Sequence, residues 1–185
     1  MSDEGWDDGE IPDAELVKRA QTGDDGALGL LLRRHHAGAY RLALSYVQDR
    51  DAAEDVVQDA LVKAVRALGR FRGDASFRTW VMRITANEAK GALRKTGRRR
   101  ESPIEAAREV ATSDLDPAAS TSLNDEAERA RAMLATLPEK QRLSVSLRTE
   151  DGLSFREIGE ITGSSEGAAR VNYFHGIRRL RELMG

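Results

Sequence analysis

Ser154-Phe155-Arg156-Glu157-Ile158-Gly159-Glu160-Ile161-Thr162-Gly163-Ser164-Ser165-Glu166-Gly167-Ala168-Ala169-Arg170-Val171-Asn172-Tyr173-Phe174-His175-Gly176-Ile177-Arg178-Arg179-Leu180-Arg181 is the stretch that decides the fold. Ser154 followed three residues later by Glu157 is a capping-box pattern, which starts a helix by satisfying its first free N–H groups. Gly163 supplies a left-handed stop, and Ser164 or Ser165 caps a second helix running to about Glu182. A helix, a Gly-containing turn and a basic helix together describe a helix-turn-helix. On the second helix Ala169, Tyr173, Ile177 and Leu180 form one stripe, which should pack on Ile158 and Ile161 of the first. The other face presents Arg170, Val171, Asn172, Phe174, His175, Arg178 and Arg179, and Ser164 and Ser165 at the turn before it are further candidate contacts. Arg can bridge guanine O6 and N7, Asn can bridge adenine N6 and N7, and an exposed apolar group can touch a thymine methyl. The Arg178, Arg179 and Arg181 cluster suits phosphate positioning, or a row of cations complementing the helix dipole, or both.

Outward from this stretch, apolar residues recur at helical spacing and β-branched alternation between turn signals is missing, so the chain reads as all-α. Asp13 can cap a first short helix through about Gln21. A second should run from about Asp25 to Val47, and a third from after Asp51 to near Gly69. The loop Phe71-Arg72-Gly73-Asp74-Ala75 leads into a fourth helix, capped by Ser76 and reaching about Lys95. Residues 97–124 hold Pro103, Pro117 and a Ser/Thr/Ala/Asp-rich run without an apolar face, with a short helical turn around Glu105 to Val110. Three further helices follow from about Asp125, with Pro138 at a first helical position. The expected organisation is an acidic tail (1–12), a helical domain (13–97), a flexible linker (98–124) and a second helical domain (125–185) carrying the helix-turn-helix.

The net charge of −2 conceals a strong asymmetry. Residues 63–100 carry twelve Lys or Arg against Asp74 and Glu88, a balance of +10, whereas 101–128 carry eight acids against Arg108, a balance of −7. A basic block followed by an acidic one reads as a polyanion-binding body joined to a segment that avoids the polyanion. On the fourth helix Arg83, Asn87, Lys90 and Arg94 recur at steps of four, three and four. With Phe71, Phe77 and Trp80 before them they have the chemistry for single-stranded DNA, cations for the backbone and aromatic planes for bases. Phe77 and Trp80 read as core; Phe71, beside a Gly loop, fits core or stacking equally.

Cysteine is absent, so a disulfide framework and a thiolate metal site are excluded. The first fifteen residues contain Asp3, Glu4, Asp7, Asp8, Glu10, Asp13 and Glu15 without Lys or Arg, unlike a secretory leader. With no run of about 20 apolar residues, a soluble cytoplasmic protein without a membrane segment is expected. His35-His36 lacks a third ligand, Asp24-Asp25 looks like a helix start, and no Walker loop, paired catalytic acids or nucleophile elbow is present. Neither an enzyme nor a metal or cofactor is expected.

Two motif sets resemble one family. Ala53-Glu54-Asp55-Val56-Val57-Gln58-Asp59 followed by Phe71-Arg72-Gly73-Asp74-Ala75-Ser76-Phe77-Arg78-Thr79-Trp80 looks like region 2 of extracytoplasmic-function sigma factors. Leu137-Pro138-Glu139-Lys140-Gln141-Arg142, Gly152-Leu153-Ser154-Phe155-Arg156-Glu157-Ile158-Gly159 and Ser165-Glu166-Gly167-Ala168-Ala169-Arg170 resemble their region 4. The likeness covers about residues 25–97 and 127–183. It implies that Asp55, Gln58 and Asp59 grip core RNA polymerase. It also implies that the Phe71 to Ser76 loop with Asn87 captures a base flipped from the non-template strand at the minus-ten promoter element, and that the last helix reads the minus-thirty-five element as duplex. An anti-sigma factor is the further partner it implies. Positions 172, 175 and 177 depart from the family, where basic residues are commoner than Asn, His and Ile. The competing reading is a dimeric helix-turn-helix regulator with the first domain as sensor, which leaves the basic fourth helix unexplained.

Overall fold

The computed structural model describes residues 11–100 and 122–184, with side chains over 11–97 and 129–184. Eight α-helices and one 3-10 turn make up its regular structure: α1 (Asp13–Gln21), α2 (Asp25–Val47), α3 (Arg50–Ala67), the turn Leu68–Arg70, α4 (Phe77–Arg100), α5 (Ser122–Ala135), α6 (Glu139–Thr149), α7 (Phe155–Thr162) and α8 (Glu166–Met184). The acidic residues 1–10, the turn expected at Glu105 to Val110 and most of the linker lie outside the described residues.

Several helix starts differ from expectation by one or two residues. Pro12 is the cap residue of α1, and Asp13 instead turns its carboxylate to Arg34 (3.0 Å) and His35 (2.6 Å) of α2. Asp49 caps α3 in place of Asp51, because its side chain reaches the Ala52 N–H at 2.8 Å. Pro138 stands one residue before α6 and not at its first helical position. The fourth helix continues past Lys95 to Arg100. The helix-turn-helix follows its sequence signals closely: Ser154 and Glu157 form both halves of the capping box, and Gly163 has φ 75°. Ser165, not Ser164, caps α8 by accepting from the Ala168 N–H at 3.1 Å.

The first body, α1–α4, holds an apolar cluster of Leu16, Val17, Leu30, Leu31, Leu68, Phe77 and Val81, which seats α1 on α2 and α4. A second cluster is shared by the two bodies. Leu42, Ala43, Met82, Ala86 and Ala89 of the first pack with Leu143, Leu147, Leu153, Ile158 and Ile161 of the second. α2 lies on α6 and α4 on α7. Small side chains at 86 and 89 let α7 approach the α4 backbone, so the apolar contact runs without a break into the packing of both bodies. Its rim is polar. Arg142 Nε donates to the Ser45 carbonyl (2.7 Å), Lys90 Nζ to the Thr162 carbonyl (2.8 Å), and Thr79 Oγ1 to Glu157 (3.3 Å). Asp151, whose side chain is 0% exposed, is clasped by Arg41 and by Arg78 (3.0 Å), both of the first body.

Candidate nucleic-acid interface

The loop between the 3-10 turn and α4 is built on an aromatic base. The Phe77 ring is buried, with Trp80 at 5.6 Å and Phe71 at 5.8 Å, and Phe71 lies 4.9 Å from Trp80. Phe77 is core, as expected, while Phe71 and Trp80 remain half-buried. Phe71 is thus partly fixed by its neighbours and partly open. From this base Arg72, Gly73, Asp74 and Ser76 project as exposed residues, with Ala75 half-buried and Gly73 at φ 79°. At the loop's end the Ser76 hydroxyl accepts from the Thr79 N–H (3.1 Å) and donates to its Oγ1 (2.9 Å), which starts α4.

Along α4, Arg83, Asn87 and Arg94 are exposed. Lys90 departs from the expected stripe: its ammonium is drawn to the Thr162 carbonyl and stands 5.8 Å over the Tyr46 ring. Met82, Ala86 and Ala89 on the adjoining flank carry α7, so Lys90 sits where the polar face meets the contact with the second body. Glu88, the only acid between Asp74 and Arg100, is paired with Lys63 at 2.6 Å, which offsets its negative charge.

On α8 the residues Arg170, Val171, Phe174, His175, Arg178 and Arg179 are all exposed and lie on one arc of the helix. Asn172 falls at the margin of that arc and is half-buried. Val171 is 53% and Phe174 58% exposed, the latter with Tyr173 5.3 Å and Phe155 6.4 Å away. The Arg170 guanidinium lies 5.2 Å over the Phe155 ring and 3.0 Å from Glu166, contacts that orient it on the exposed face. Ala169 is buried against α7, as its stripe requires. Gly176 is buried too, where α8 packs so closely on α6 that a Cβ would come within 2.6 Å of Val145. Ser164 and Ser165 stay exposed at the turn.

α3 presents Asp55, Gln58 and Asp59 to solvent while Val56, Val57 and Ala60 enter the core. Beside them runs a groove between α2 and α3, lined by Tyr40, Asp55, Gln58, Val62, Val65 and Arg66. Val62 (43% exposed) and Val65 (39%) are apolar members of this surface that lie outside the motif residues 53–59. Their signal was present: Val62 follows Asp55 by two turns on the polar side of the helix.

Comparison with known proteins identifies the family. The Sigma-70 region 2 family model matches residues 31–99 and the Sigma-70 region 4 model residues 127–180. The RNA polymerase sigma-H factor of Pseudomonas aeruginosa is 35% identical over 170 residues, 88% of each chain. The ECF RNA polymerase sigma-E factor of Escherichia coli is 38% identical over 173 residues, 89% of this chain and 90% of its own. Among solved structures, CnrH in complex with the cytosolic domain of CnrY superimposes with TM-score 0.69 at 26% identity, covering 93% of this chain and 96% of CnrH. The sigma factor RpoE of Bartonella quintana, in complex with the anti-sigma factor NepR, gives TM-score 0.68 at 26% identity over 83% of this chain and 93% of its own. The chain belongs to the extracytoplasmic-function sigma factors of the sigma-70 family. It binds core RNA polymerase and recognises promoters to initiate transcription, and is not an enzyme. No helix among the described residues is long and apolar enough to cross a membrane.

Proposed function

We propose that promoter recognition is divided between two surfaces of different chemistry. Residues 71–76 with Arg83, Asn87 and Arg94 hold the opened minus-ten strand, Lys90 joins them once its bond to Thr162 is released, and residues 164–179, the turn and α8, read the minus-thirty-five duplex. The observation that supports this most is the contrast between the faces. α8 is a convex helix with exposed Arg170, Val171 and Phe174, shaped for a major groove. The first body offers a Gly-bearing loop on an aromatic base, where an unstacked base can approach backbone closely. Asp55, Gln58 and Asp59 are the surface for core polymerase. The first body corresponds to 13–97, the linker to 98–124 and the second body to 125–185, and the chain acts in the cytoplasm.

The packed arrangement sets the two surfaces side by side, since Lys90 bonds to Thr162, two residues before Ser164. The two promoter elements are, by their names, about 25 base pairs apart, or roughly 85 Å of duplex at 3.4 Å per pair. One molecule reads both elements only after the shared core between α4 and α7 has parted. CnrH and the Bartonella quintana RpoE superimpose on this chain while bound to CnrY and NepR, and an anti-sigma factor that holds the closed form is the corresponding partner here.

The division of labour is tested by separate variants in holoenzyme. Asn87→Ala should slow promoter opening, read by permanganate reactivity of minus-ten thymines, about tenfold while leaving minus-thirty-five duplex affinity within twofold. Arg170→Ala should lower duplex affinity by the 1–3 kcal/mol typical of a lost bidentate base contact. Equal effects of both changes on duplex affinity would contradict the assignment.

A further inference from the structure

We infer that Gln21, the last residue of α1, is a positioning residue for the minus-ten loop, an inference that rests on the assignment of residues 71–76 given above. Its side-chain nitrogen donates to two carbonyls some fifty positions along the chain, Leu68 at 2.9 Å and Phe71 at 3.0 Å. A carboxamide carries two N–H donors on one nitrogen, so both bonds form at once. The Leu68 carbonyl also accepts from the Phe71 N–H at 3.0 Å, closing the 3-10 turn. Gln21 therefore braces the two backbone carbonyls that bracket the entrance to the loop, one residue before Arg72.

The brace is held from behind. α1 is seated by Leu16 and Val17 in the first apolar cluster, and its start is tied to α2 through Asp13 with Arg34 and His35. Its end is closed by Thr22 Oγ1 donating to the Arg19 carbonyl at 2.8 Å and by the Arg19–Asp24 ion pair at 2.6 Å. The loop's far end is fixed independently by Ser76 and Thr79, and its flank by the Phe71 and Trp80 rings. Between these anchors only Arg72, Gly73, Asp74 and Ala75 are left to shape themselves to a base. Gln21 lies ten residues before the start of the region 2 match, so it acts on the loop from outside the motif that names it.

The side chain is itself exposed, which separates a positioning role from a structural one: its removal opens no cavity in the core. The test uses full-length chain with core polymerase on a promoter that it transcribes. For each non-template base of the minus-ten element, the rate of open-complex formation is compared with that of a template carrying a changed base. Gln21→Glu keeps the shape and loses both donors, Gln21→Met keeps the length without polarity, and Gln21→Lys keeps donors on a stem one bond longer. The expected result is an about fivefold fall in base discrimination for the Glu and Met variants. Core polymerase affinity and minus-thirty-five duplex affinity stay within twofold, and the Lys variant retains most of the discrimination. Parental discrimination in the Glu and Met variants overturns the inference. So does a joint fall in melting temperature and core affinity with the discrimination ratio untouched. Arg72→Ala and Asn87→Ala run alongside: if they also leave discrimination unchanged, the loop assignment itself fails and Gln21 loses its role with it, whereas if they lower it alone, only the brace is refuted.

Discussion

Gly159 sits on α7 where a Cβ would come within 2.9 Å of the Ser164 carbonyl and 3.1 Å of the Glu166 nitrogen. The obstructing atoms are backbone, so no side chain can swing away, and Gly159→Ala has to push the turn off α7. Forced overpacking costs about 1–3 kcal/mol. Gly159→Ala should lower the urea midpoint accordingly and weaken minus-thirty-five binding with it; an unchanged midpoint would show that the turn has slack. This requirement was hidden in the sequence, where Gly163 carries the visible turn signal and Gly159 looks like an ordinary helical residue. Gln21 was equally hidden, because its partners are fifty residues away and no local spacing marks such a bond. The capping box of Ser154 and Glu157 was legible for the opposite reason: both partners fall within one turn. There the Ser154 hydroxyl, more than its N–H and Thr79, holds the Glu157 carboxyl below its ordinary value of 4.5, against the opposing pull of burial. A lowered pKa stabilises the fold above the ordinary value and ceases to do so as pH falls through the lowered one. Thermal melts from pH 6 down to pH 3 should therefore show a loss in the parent below about pH 4.5 that Glu157→Gln lacks; parallel curves would remove Glu157 from the account.

At the scale of elements, helical period placed nearly every helix, since each buries one stripe; α2 ends without a Gly or Pro signal, on Gln48 at φ 56°. What period could not reveal is which of two polar flanks meets another helix. α4 illustrates this: Met82, Ala86 and Ala89 are too small and mixed to read as a packing face, yet they carry α7, and Lys90 beside them is spent on the Thr162 carbonyl instead of standing in a free cationic row. α3 is the clearer case, with Val56, Val57 and Ala60 inward and Asp55, Gln58 and Asp59 outward. Acids four apart repel one another, and a basic partner relieves that repulsion. Asp55→Arg should weaken core polymerase binding at least tenfold, more so at low salt, and leave duplex binding by α8 unaltered. Retention of core affinity in a sedimentation or competition assay would move the polymerase contact elsewhere.

For the whole molecule, charge counting by segment exposed two functional bodies behind a net charge of −2, but not their contact. Asp151 explains why. It follows α6 in a Glu-Asp-Gly turn, and its partners Arg41 and Arg78 belong to the other body, 110 and 73 residues away in sequence. A buried carboxylate between two arginines contributes little net stability but fixes how two surfaces meet, and losing one member leaves charge uncompensated. Because the chain has no cysteine, single dyes can be placed at the exposed Glu15 and Glu160 after their replacement by Cys. Energy transfer between them should fall when core polymerase and promoter are added. In the free chain it should fall partly with Asp151→Ala; transfer insensitive to both would mean that the packed form is no barrier to binding. The division of promoter reading between two bodies is tested most directly by sequencing run-off transcripts made by core polymerase and this chain on genomic fragments of its own organism. Start sites should share two sequence elements at fixed spacing, with Asn87→Ala impairing use of the downstream element and Arg170→Ala that of the upstream one. Start sites that share a single element, or none beyond those of core polymerase alone, would contradict it.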